Sequence, residues 1–137
     1  MATVQQPAAR ASAGTDLVAA VLIVAGVTQL ITGVVALVAP GAFYDVIAAY
    51  PPENHHFLMD LGSWQIALGA IAVYGARRPD WRVPLLGLVG LQYLLHAIPH
   101  AIHVSDPEKG WQGPFALVAQ LLGALLLLGL FARERGR

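Results

Sequence analysis

The sequence contains no cysteine. That excludes a disulfide framework, a thiolate metal site and a thiol nucleophile, and it leaves the compartment open. Charge is also scarce: 12% of residues are charged, against roughly 25% in an average soluble domain. Eight basic residues balance eight acidic ones, so a nucleic-acid partner has no electrostatic support. No Ser–His–Asp arrangement and no glycine-rich phosphate loop is present. What is abundant is apolar, at 57% of 137 residues. One soluble core of this size cannot hide that much apolar surface, whereas a bilayer acts as its solvent.

The apolar residues fall into four segments, about 17–38, 57–76, 83–102 and 114–132. Each is close to the ~20 residues that cross a ~30 Å hydrocarbon layer. In lipid the backbone must be satisfied within the segment, so these are expected to be helices. None shows the alternating polarity of a barrel strand. The first run exceeds a secretory h-region of ~7–15 residues and needs no cleavage to explain it. The expected architecture is an all-α, integral membrane four-helix bundle spanning 16–133. A disordered tail (1–15) precedes it and a basic tail (134–137) follows.

The basic residues set an orientation. Arg10 precedes the first segment, Arg77, Arg78 and Arg82 lie between the second and third, and Arg133, Arg135 and Arg137 follow the fourth. The other side carries only Lys109. The positive-inside rule therefore predicts both termini in the cytoplasm. The expected location is a plasma membrane of bacterial type, with lipid as the first partner. In the first outer loop Phe43, Val46, Ile47 and Tyr50 recur at i, i+3, i+4, i+7. That spacing predicts a short amphipathic helix in the outer headgroup region. The second outer loop, 104–113, reads as polar and ordinary.

The first two segments share a pattern. Gly26-Val27-Thr28-Gln29-Leu30-Ile31-Thr32-Gly33 matches Gly62-Ser63-Trp64-Gln65-Ile66-Ala67-Leu68-Gly69. Small residues on one face let helix backbones approach in lipid, and the glutamine can bond across the seam. Gln92 and Gln120 occupy the third and fourth segments. Counted from the outer ends, Gln29, Gln65, Gln92 and Gln120 lie roughly 9–15 Å deep at about 1.5 Å per residue. The four are expected to form one polar layer. It serves either as packing glue or as a pocket for a polar head group.

The run Ala39-Pro40-x-x-Phe43, the amphipathic stretch and the helix with Leu61-Gly62 and Ala67-Leu68-Gly69 resemble the small four-helix membrane proteins of the DoxX-like superfamily. The resemblance covers nearly the whole chain at the level of layout. Some DoxX-type proteins act as membrane subunits of quinone-linked oxidoreductases, so it implies a quinone cofactor or a larger membrane complex. It transfers no catalytic residue.

The five histidines carry most of the functional signal. His96, His100 and His103 form one stripe on the third segment, and His56 and Asp60 share a face on the second. Imidazoles with a carboxylate suit Zn, Cu or Fe. The expected metal set is His56, Asp60, His96, His100 and His103, with Asp60, His96 and His100 facing one another. Asp60 and His96 are also the candidate acid–base pair. His55, His56 and His103 equally suit plain headgroup contacts. The leucines of the fourth segment argue for tight packing and against an axial haem. Pro99 interrupts the stripe and frees the Leu95 carbonyl. Three functions follow. The first is a metal-binding or quinone- and proton-handling redox site. The second is a non-catalytic accessory subunit of a larger complex, or a homo-oligomer. The third is a lipid- or isoprenoid-handling enzyme or transporter. Whether chemistry occurs at all is open at this level.

Overall fold

The computed structural model describes residues 8–136, with backbone alone over 8–16. It contains five helices: α1 (Ala8–Val38), α2 (Pro40–Val46), α3 (His55–Ala76), α4 (Pro79–Ile102) and α5 (Gln112–Glu134). No strand occurs among the described residues. Four helices are long and apolar enough to cross a membrane: Leu17–Val38 within α1, then α3, α4 and α5. Their outward faces are apolar, with Val38, Trp64 and Leu125 each more than 70% exposed. Such a surface is at home in lipid and costly in water. The chain is an integral membrane helical bundle.

Element boundaries follow local chemistry. Residues 8–15 of the stretch expected to be a tail are helical and belong to α1; residues 1–7 and 137 lie outside the described residues. Pro40 lacks an N–H and suits the first position of α2. The Asn54 side chain caps α3 by accepting from the Phe57 amide at 3.1 Å. At the other end, Arg82 Nε donates to the Ala76 carbonyl at 2.8 Å and satisfies an orphan acceptor of α3. α4 starts with Pro79 in its first turn and continues through Pro99 to Ile102.

The helices pack as two pairs, α1 on α3 and α4 on α5, joined through α4. The glycine pattern makes the first pair. Gly26 lies against Gly69, and Gly33 against Gly62, in both directions. A Cβ on any of the four would come within 2.6–2.8 Å of the facing carbonyl. The two copies of the motif therefore meet antiparallel along one seam, as their small residues allow.

The bundle is closed at one end and open at the other. Near the termini, Val18 and Leu22 of α1, Ala72 and Ala76 of α3, Leu85, Leu86 and Val89 of α4, and Leu127 and Leu130 of α5 form a dry core. At the opposite end Ala36, Phe43, Tyr44 and Leu58 form a smaller cluster under α2.

α2 differs from the expected amphipathic helix. It ends at Val46, and Tyr50 lies beyond it. Its buried face is Phe43 and Tyr44, whereas Val46 is 62% exposed. The reason is the 104–113 segment, which is more than the ordinary polar loop expected. Lys109 Nζ donates to the Asp45 carbonyl, Gln112 Nε2 donates to the Val46 carbonyl, and the Glu108 amide donates to the Ala49 carbonyl. Those bonds end the helix and tie both loops into one strap across the open end.

Candidate functional site

Beneath the strap lies a cavity of about 630 Å3, lined by all four long helices and the 43–54 segment. Its volume falls in the ordinary range for a small-molecule site. Phe43, Ile47, Leu58, Leu61, Phe115 and Ala119 make it largely apolar, and Gln29, Gln65, Gln120, His96 and His100 bring polar groups inward.

The polar wall is an ordered line. Gln29 Nε2 donates to Gln92 Oε1 at 3.0 Å. Gln92 Nε2 then faces His96 Nδ1 at 3.3 Å. Because the Gln92 oxygen is already accepting, its amide N–H must be the donor. His96 Nδ1 is then the acceptor, and the neutral ring carries its proton on Nε2. The His96 and His100 rings stack with centroids 4.9 Å apart and planes 18° apart. His100 Nδ1 is 3.0 Å from the Tyr50 hydroxyl. Burial raises the Tyr50 pKa, and the negative charge of Asp106 adds to the shift. The phenol thus stays protonated, and it donates to His100 Nδ1 or accepts from it according to the imidazole tautomer. A strap residue fixes the outer imidazole and an intramembrane glutamine fixes the inner one.

Of the expected glutamine layer, Gln29, Gln65 and Gln120 share the cavity, while Gln92 joins through its bonds to Gln29 and His96. The Gln65 and Gln120 side-chain oxygens are buried without a partner.

The expected metal set does not assemble. Among the described residues no three His, Asp or Glu side chains come together as a metal ion would require. Only His96, His100 and His103 of that set line the cavity. Asp60 is 67% exposed and pairs with His56 at 3.5 Å on the outside of α3. The cause is helical phase. Asp60 lies about 160° around α3 from Gly62 at 3.6 residues per turn, and Gly62 is pinned to α1. The facing arrangement of Asp60, His96 and His100, and the Asp60–His96 acid–base pair, are therefore not formed. His103 bonds Asp106 at 2.6 Å and His55 bonds Glu53 at 2.6 Å, both at exposed positions.

Nothing in the spacing of the sequence singles out Tyr50 or Gln112 as site residues. Tyr50 lies fifty residues from His100, and no periodicity reports a contact made by a returning loop. Gln112 is 3% exposed and holds the strap.

Fold and cavity together define a class: a helical membrane protein with four helices long and apolar enough to span a bilayer and an amphipathic cavity at one end of the bundle. Compared with known proteins, the chain matches no family model, no curated protein and no solved structure.

Proposed function

We propose that the cavity binds a quinone-type ring and that His96 and His100 handle its protons. One observation carries this reading: the line from Gln29 through Gln92 to His96, with His100 stacked on it and held by Tyr50. A flat ring with polar oxygens needs apolar walls and a few fixed hydrogen-bonding groups. The walls supply the first. His96 supplies a directed Nε2–H donor, and an imidazole is suited to proton exchange near neutral pH. The layout shared with DoxX-like proteins supports the same reading. The arginine bias favours cytoplasmic termini, and with them a cavity that faces the outer leaflet. A bacterial plasma membrane is the setting that goes with it. Work inside a larger oxidoreductase complex is compatible with this role.

A binding assay tests it. Trp111 lines the cavity. With Trp64→Phe and Trp81→Phe in place, its fluorescence reports occupancy. A water-soluble benzoquinone analogue is expected to quench it saturably at one site per chain. His96→Ala should weaken binding about tenfold, equivalent to roughly 1.4 kcal/mol. Linear, unsaturable quenching that is the same in both proteins would overturn the proposal.

A further inference from the structure

A second recess lies next to the cavity, in the membrane-spanning part of the bundle. It lies between α1 and α5 and holds about 270 Å3. Val21, Val24, Ala25, Leu126 and Leu127 wall it. Thr28 and Tyr93 line both this groove and the cavity, so the two recesses are neighbours on either side of these side chains. Two features of the sequence leave it open. α1 spends its glycine face on α3, and α5 packs on α4, so α1 and α5 do not close on each other. Tyr93 lies against Gly123, where a Cβ would collide with its ring, so the tyrosine stays on the floor of the groove.

The groove is open to the side. Val24 is 67% exposed and Leu126 is 51% exposed on helices that span the membrane. From Ala20 to Thr28 it covers about 12 Å at roughly 1.5 Å per residue. A recess with polar groups at its outer end and apolar walls at depth matches a molecule with a polar head and a long apolar chain.

We propose that the α1/α5 groove holds the linear apolar chain of the ligand whose ring sits in the cavity, so the substrate is a head-and-tail lipid taken sideways from the bilayer. This rests on the ring-binding reading above. Water-soluble rings fill only the outer part of the site. Chain-bearing ones fill both parts, and lateral passage between α1 and α5 spares the chain any exposure to water.

The test compares two benzoquinones with the same ring, one without a chain and one with a prenyl chain, in nanodiscs of fixed lipid composition. Three proteins are used: wild type, Val24→Trp to fill the groove, and Leu125→Trp on a neighbouring exposed position. Partition into lipid is common to all three and cancels. In wild type and Leu125→Trp the chain should tighten binding at least about tenfold. In Val24→Trp the advantage of the prenyl compound should fall at least about tenfold below its wild-type value, with the chainless one binding as in wild type. A chain advantage as large in Val24→Trp as in wild type, or absent in wild type while the chainless ring binds, overturns the groove and leaves the ring site standing. Failure of both compounds on wild type overturns the ring site and the groove with it.

Discussion

At the residue scale, His96 depends on groups that hold it. Its proton position is dictated two bonds away, by Gln29. Gln92→Leu should therefore weaken ring binding by about fivefold to tenfold, near the net worth of one hydrogen bond of ~1–1.5 kcal/mol. Titration of the chainless analogue reads this directly. Asp60→Asn should leave that affinity unchanged, since Asp60 points away from the bundle; a tenfold loss would return it to the site. Tyr50 and Tyr44 add a pH dependence. Burial raises both above the usual 10.0, with acidic neighbours contributing: Asp106 for Tyr50, and Glu108 foremost for Tyr44. The sign follows from linkage: the unfolded phenols ionise first. The strap's contribution is full below about pH 10 and is lost as pH rises through the raised values. Thermal unfolding of wild type should become less favourable to the fold above pH 10, with a smaller drop in Tyr50→Phe.

At the element scale, the seam of Gly26, Gly33, Gly62 and Gly69 decides which side of α3 faces inward. Gly62→Leu should lower stability by about 1–3 kcal/mol through overpacking against the α1 backbone. The expected readout is a lower unfolding temperature in detergent. The motif was visible in the sequence as a repeat, and the helices it joins were legible from length and hydropathy. Its consequence for phase is what the expected Asp60–His96 pair overlooks, because Asp60 sits opposite the glycines on a helical wheel. The histidine stripe also emerged from spacing alone. The end of α2 did not. Its stop is set by Lys109 and Gln112, which return from the far loop to bind its carbonyls. Such contacts leave no local period. Neither does the Tyr50–His100 bond.

At the scale of the whole molecule, packing is graded along the membrane normal. One end is a dry core and the other a cavity under a strap. The arginine bias orients this gradient and predicts that the cavity opens outward. The cysteine-free sequence gives a clean background for checking that. Lys109→Cys should react with an impermeant maleimide in intact cells, and Arg78→Cys only after the membrane is opened. The reverse pattern would place the cavity on the cytoplasmic side.

The most direct test of the central claim is photoaffinity labelling with an azido-benzoquinone, followed by peptide mass spectrometry, on wild type and His96→Ala/His100→Ala. The account predicts adducts concentrated on the cavity-lining stretches of α4 and α5, around residues 93–103 and 111–120. Excess chainless quinone should compete them away, and the double variant should reduce them strongly. Labelling spread over lipid-facing positions such as Trp64 and Leu125, equal in both proteins and indifferent to competitor, would contradict it.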